Sequence, residues 1–129
     1  MAALTDYLEN KLWDHINGKT SYTMPTPWYA LFTVSPTDST TGTEAAYTSY
    51  ARVQASGATW NAASGGSQTN ASAITFPACT GSTSTVVAFG AFDASTGGNL
   101  LYYGSCSLSV SSGITPEFAA GQVTCQNTD

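Results

Sequence analysis

Residues 86–104 read VVAFGAFDASTGGNLLYYG, two apolar runs on either side of the seven turn formers at 93–99. Aromatic and β-branched residues followed by a cluster of Asp, Ser, Gly and Asn predict two strands joined by a turn, a β-hairpin. Asp93 opens the turn, where its carboxylate is expected to accept hydrogen bonds from backbone amides two or three residues on. Gly97 and Gly98 are expected to supply positive φ angles. All three are therefore read as turn residues, although Asp93 is also one of only eight acids in the chain and so a conceivable catalytic group.

Working outward, the same grammar recurs. WYALFTV (28–34) is apolar on both faces, as a central strand would be. YARVQA (50–55), AITFP (73–77), TVVAFGAFD (85–93), LLYYGSC (100–106), SLSVS (107–111) and QVTCQ (122–126) are further candidates, with ITPEF (114–118) the weakest. The Ser/Thr/Gly-rich stretches SPTDSTTGTEA and SGATWNAASGGSQTNAS between them are predicted to be long exposed loops. Trp60, inside the second, is read as a local anchor over the sheet or as an exposed sugar platform. The count predicts a mainly β fold, a seven- or eight-stranded antiparallel β-sandwich or jelly roll.

Only LTDYLENKLWDHIN (4–17) has helical spacing. Leu4, Leu8, Leu12 and Ile16 recur every fourth residue, Asp6 and Glu9 resemble a capping box, and Gly18 supplies a stop. So short a helix must dock its apolar stripe on its own sheet or on a neighbouring subunit. Leu4, Leu8, Leu12, Trp13 and Ile16 are accordingly the candidate interface. The chain is thus predicted to be one domain over residues 1–129, with a helix at 4–17 and a β-sandwich at 20–126.

The composition narrows the function. Charged residues make up 9% of the 129, far below the ~25% usual for a soluble domain. Small neutral polar groups leave little repulsion between copies, which suits an assembled protein. With a net charge of −5 and only Lys11, Lys19 and Arg52 positive, no surface is available to neutralise phosphates, so nucleic acid is not an expected partner. No apolar run approaches the ~20 residues of a membrane helix, and the N-terminus is acidic where a secretion signal would be basic. A chain made in the cytoplasm without a signal peptide, and no membrane partner, are expected.

Chemistry is sparse. His15 is the only histidine and is read as a helix-end or interface residue, because no nucleophile motif accompanies it. The acids Asp6, Glu9, Asp14, Asp38, Glu44, Asp93, Glu117 and Asp129 are scattered, without the pairing a glycosidase needs. DASTGGN lacks the alternating carboxylates of a calcium loop. Cys79, Cys106 and Cys125 have no metal or redox spacing and are read as small apolar strand residues. No catalytic residue, cofactor or metal is expected.

Three stretches carry a resemblance. LTDYLENKLWDHING, YALFTVSPTD with its following GTE and YARV, and ITFPA with VVAFGAFDASTGGNLLYYG and the closing FAAGQVT are together similar to the small bacteriophage virion proteins known as phage tail fibre-like proteins. The similarity spans about residues 4–124. It implies a helix-plus-β virion component with no catalytic residues to carry over. A fibre reaching a receptor is built from coiled coil, β-helix or repeats, and this chain has none. The expected role is therefore a non-enzymatic capsid decoration or cement protein on the particle exterior. It would dock on the major capsid or tail protein and on copies of itself. The alternative is a tail fibre or tail-tip component that binds host surface glycans through exposed Trp60, Tyr47, Tyr50, Tyr102 and Tyr103.

Overall fold

A computed structural model of the chain describes residues 2–126; Asp129, counted above among the acids, lies outside them. Ten strands and one α-helix follow one another: β1 (Ala2–Leu4), α1 (Asp6–Ile16), β2 (Trp28–Val34), β3 (Thr43–Glu44), β4 (Val53–Gln54), β5 (Ser67–Thr69), β6 (Ile74–Thr75), β7 (Ser84–Phe92), β8 (Leu100–Val110), β9 (Glu117–Phe118) and β10 (Thr124–Gln126). Eight strands form one sheet in the order β3-β2-β7-β8-β1-β10-β5, with β4 also pairing to β2, and β6 pairs with β9 in a second, two-stranded sheet. The fold is mainly β, as the sequence predicts, with three differences. Ten strands are present among the described residues rather than seven or eight. The large sheet is mixed, because β1 runs parallel to β10. LLYYGSC and SLSVS are one strand, β8, not two.

The hairpin at 86–104 is the spine of the sheet. β7 and β8 pair from Phe92↔Leu100 to Ser84↔Val110, with register shifts near Val87 and Phe92. β2 adds antiparallel to β7 with Tyr29 opposite Ala91 and Leu31 opposite Phe89. Alternation along the strands then sends Tyr29, Leu31, Phe89 and Ala91 to one face and Ala30, Phe32 and Ala88 to the other. The first face joins the larger core, which Ile74, Phe76 and Phe118 close from the small sheet in a sandwich-like layer. Phe118 sits with its ring 5.4 Å from that of Phe89 and 6.2 Å from that of Phe76. The second face holds the smaller cluster of Ala30, Phe32, Ala88, Phe92 and Leu100, against which Tyr103 packs.

The helix starts later than the leucine spacing suggests. Thr5 is extended (φ −79°, ψ 160°) and is the N-cap, its Oγ1 accepting the Leu8 amide at 3.4 Å. The same hydroxyl donates to the carbonyls of Leu100 (2.6 Å) and Leu101 (3.0 Å), so the cap is also the joint between α1 and β8. The cap is thus Thr5 rather than an Asp6/Glu9 box; Asp6 and Glu9 lie in the first turn, where their charges suit the dipole. An extended Thr5 leaves Leu4 in β1, opposite Tyr102, and off the helical stripe. At the other end Asn17 caps the helix, and Gly18 follows at φ +74°.

Of the expected stripe, Leu8 is buried and Leu12 half-buried, whereas Trp13 and Ile16 are 63% and 68% exposed. Part of the stripe therefore docks on its own fold and part does not. Leu8→Ala is expected to cost about 2–3 kcal/mol, against about 1 kcal/mol for Leu12→Ala, because Leu8 is buried and Leu12 only half-buried. Urea unfolding of the two variants checks the ranking, and equal losses would contradict it.

The two long loops are less irregular than expected. The first contributes β3. The second contains a 3-10 turn at Gly57–Thr59 and the edge strand β5. Asn70, at the end of β5, is 1% exposed and fully engaged. Its Nδ2 donates to Ser72 O (2.9 Å) and Ala119 O (3.0 Å), and its Oδ1 accepts the Val123 amide (2.9 Å). One buried amide thereby fixes the entry into β10, with its desolvation offset by hydrogen bonds.

Candidate functional site

Two places gather the side chains with the most chemistry. The first is the tip of the β7–β8 hairpin. Asp93 Oδ1 accepts the Asn99 amide (2.8 Å), its Oδ2 accepts Asn99 Nδ2 (3.2 Å), and its own amide reaches Asn99 O (3.1 Å). The hydrogen bonds come from six residues on rather than two or three, because 93–99 is a wide turn closed between its ends. Gly97 and Gly98 have φ of +60° and +75°. Arg52 holds the turn from outside. Its Nη1 donates to Ala94 O (2.9 Å) and Gly97 O (2.8 Å), while Nε and Nη2 form a bidentate pair with Glu44 at 3.0 and 2.9 Å. The guanidinium lies 3.6 Å from the centre of the Phe92 ring.

The clasp extends inward. Tyr50 donates its hydroxyl to Glu44 and accepts the Leu31 amide at 3.2 Å. Burial, followed by the Glu44 hydrogen bond, pushes the Tyr50 phenol far above its ordinary range. Glu44, Tyr50 and Arg52 belong to the GTE and YARV segments, whose side-chain roles sequence reasoning missed. The available signal was one of only three cations in the chain standing within eight residues of an acid. Four of the five Arg52 donors are engaged within this cluster, and the hydrogen-bond partners of Asp93 described above include no histidine or second acid. These hydrogen bonds tie the turn to β3 and to the segment between β3 and β4.

The second place is an open apolar groove of about 450 Å³. Ala2 and Leu4 of β1, with Tyr102 and Cys125 from the neighbouring strands, line it from the sheet side. Leu8 of α1, Trp60, and Met24, Pro25 and Pro27 from the segment after the helix complete it. Ser56, Ser67, Gln68 and Gln126 contribute neutral polar groups, and among the described residues no charged one lines it. Trp60 donates Nε1–H to Ala55 O at 2.8 Å, and its ring lies 5.8 Å from Tyr29. Met24 is 88% exposed.

The expected interface residues Leu4 and Leu8 meet in this groove with Trp60, whereas Leu12, Trp13 and Ile16 do not line it. The aromatics proposed for sugar stacking are dispersed. Tyr47 is buried and donates to Pro77 O (2.7 Å), Tyr50 is in the clasp, and Tyr103 donates to Asp38 (2.7 Å). The Tyr102 hydroxyl is 2.8 Å from that of Tyr29. His15 accepts the Tyr22 amide at Nδ1 (3.1 Å). Among the described residues no group of three or more His, Cys, Asp or Glu is arranged to hold a metal ion, and no helix is long and apolar enough to cross a membrane.

The three thiols are unpaired. Cys79 is buried in a loop rather than a strand, with its Sγ 2.9 Å from Gly81 O; Cys106 and Cys125 are on β8 and β10. Burial pushes the Cys106 thiol up to about 11 and raises that of Cys125. Burial likewise holds the Tyr29 and Tyr102 phenols well above the usual 10.0, with their mutual contact and Cys125 adding to it for Tyr29. These acids are all neutral in the fold beyond their ordinary pKa, so the unfolded chain releases protons first as pH rises. Their contribution is complete below about pH 9 and is lost progressively above it as the pH climbs toward the raised folded values. The melting temperature is expected to fall steeply between about pH 9 and pH 11; a flat alkaline profile would show that these groups are not held neutral.

The strands and loops described above lie within a stretch that matches a known family model, described as "Podophage GP4 fiber I protein gp80", over residues 3–126. The chain belongs to this phage fibre family. No curated protein matches it. Membership makes it a phage structural protein and assigns it to the virion. It fits the tail-fibre alternative better than the capsid-decoration reading, because the family is described by a fibre. The absence of coiled coil and repeats argued against a shaft, and it does not argue against a compact module of a fibre assembled from several proteins.

Proposed function

We propose that the chain is a non-enzymatic structural module of a phage tail fibre, held in the virion by apolar contacts rather than by charge. The observation that carries the reading is the family match over nearly the whole chain, to a protein described as a fibre. The site geometry supports it. Among the described residues, the apolar groove has no charged residue along it. The acids best placed for chemistry are committed to the fold, Glu44 to Arg52 and Asp93 to its turn.

Host glycan binding is the weaker role for this surface. Sugar recognition needs an exposed aromatic face beside polar groups that fix hydroxyls, and here Trp60 is half-buried against Tyr29, the Tyr102 hydroxyl is engaged with that of Tyr29, and Tyr47, Tyr50 and Tyr103 do not line the groove. Electron microscopy of particles carrying a tagged copy tests the assignment. Label on the tail fibres is the expected result, and label spread over the capsid shell would restore the decoration reading.

A further inference from the structure

β8 outruns one of its two neighbours. It pairs with β7 from Leu100 to Val110, but with β1 only at Tyr102, Tyr103 and Gly104. Beyond Gly104 no described residue pairs with the second edge of the strand. Alternate amides and carbonyls as far as Ser107 and Ser109, three and five residues past that last pair, therefore face outward without a partner among the described residues. This open edge lies inside the sheet order, between β7-β8 and β10-β5, rather than at its end. β1 is the one strand between β8 and β10, so past Ala2 the two flanks stand two strand spacings apart, about 9–10 Å. A cavity of about 360 Å³ occupies this lane, walled by Cys106 and Leu108 of β8 and by Val123 at the entry to β10, with Phe89 and Phe118 also lining it.

The lane specifies what fits it. Outward backbone groups at strand spacing are satisfied by another extended backbone, as in β-strand addition. A gap one strand wide, flanked on both sides by this chain, admits a single extended segment and not the edge of a second folded copy. Half-buried Cys106 and Leu108 alternate with exposed Ser105, Ser107 and Ser109, so alternate side chains of that segment meet an apolar wall. Residues 105–110 carry no charge and no proline, two devices that blunt an unused edge; a bulge opposite Val87 is the one irregularity there. We propose that the lane takes an extended, neutral segment of another virion protein, with apolar side chains at alternate positions. The donor is another protein because the described strands of this chain are already committed to its own two sheets. The inference rests on the reading of the chain as a structural module of the virion.

Hydrogen exchange of fragments covering residues 105–110 tests it, comparing the purified chain with the chain in intact particles. Fast exchange of the outward amides is expected in the purified chain, and exchange slowed ~100-fold or more in the particle. Leu108→Lys places a charge in the lane while its stem can still lie along the same wall, so the purified variant should melt close to the parent. Its uptake into particles, in competition with the parent, should fall ~10-fold or more. Outward amides that are already slow in the purified chain, or that stay fast in the particle, would overturn the proposal. Full uptake of Leu108→Lys would do the same. Protection that appears on merely concentrating the purified chain would overturn it in favour of a second copy. If the variant fails to fold, the exchange comparison decides alone. That comparison holds wherever in the particle the copies sit, so the fibre assignment and the strand addition can fail separately.

Discussion

Arg52→Ala is expected to destabilise the chain by about 3–4 kcal/mol, the largest loss from any single surface-proximal residue. The Arg52 side chain is only 8% exposed and serves four partners at once: the Glu44 carboxylate, two carbonyls of the 93–99 turn and the Phe92 ring. Removing it leaves Glu44, itself 27% exposed, beside the Tyr50 phenol without its cation, and frees the hairpin tip from the rest of the sheet. Truncating one partner of a largely buried ion pair costs far more than an exposed pair contributes, because the remaining charge stays desolvated. Arg52→Lys should recover little, since an ammonium cannot span a bidentate carboxylate and two carbonyls together. Chemical denaturation of both variants, with Lys11→Ala as a surface control, checks this. An Arg52→Lys protein as stable as the parent would show that charge alone, without the fork, holds the turn.

Gly98→Val is the second large effect, expected at about 3 kcal/mol or more. Gly98 has φ of +75°, and a Cβ there would stand 2.5 Å from Asp93 Oδ1 and 2.8 Å from the Ala94 Cβ. The substitution therefore combines left-handed strain with a clash against the carboxylate that closes the turn. Gly97→Val shares the strain, at φ +60°, but its Cβ would meet nothing within 4 Å, so about 1–2 kcal/mol is expected there. Asp93→Asn keeps an acceptor for the Asn99 amide and exchanges only the 3.2 Å side-chain contact, for about 0.5–1 kcal/mol. The order Gly98, Gly97, Asp93 separates a structural turn from an active site. A stable Asp93→Asn protein whose particles form but do not infect would reverse the reading.

The hairpin and the central strand were legible because their signals are local. Nine and seven residues of β-forming side chains, bounded by turn formers, specify β7 and β2 without reference to anything distant. The helix was legible in type but displaced at its start. The spacing of Leu4, Leu8, Leu12 and Ile16 fits a helix, yet a buried Thr5 hydroxyl bonded to β8 makes Thr5 the N-cap, so the helix starts at Asp6 and excludes Leu4. No pattern within residues 4–17 encodes a partner 95 residues away. Strands of two or three residues, such as β3, β4, β6 and β9, are too short to show alternation and exist only because a neighbour supplies hydrogen bonds.

By itself, then, the sequence determined a β-rich chain with one N-terminal helix, a hairpin at 86–104, few charged residues and a similarity to phage fibre proteins. Only the tertiary structure decided that Arg52 clasps a turn 42 to 45 residues away, that β1 lies parallel to β10, and that Leu4, Leu8 and Trp60 converge on one groove. The physical reason is that propensity and periodicity act over one turn or one strand. Long-range pairing depends instead on which distant groups can satisfy each other's hydrogen bonds and apolar surface once the whole core has closed.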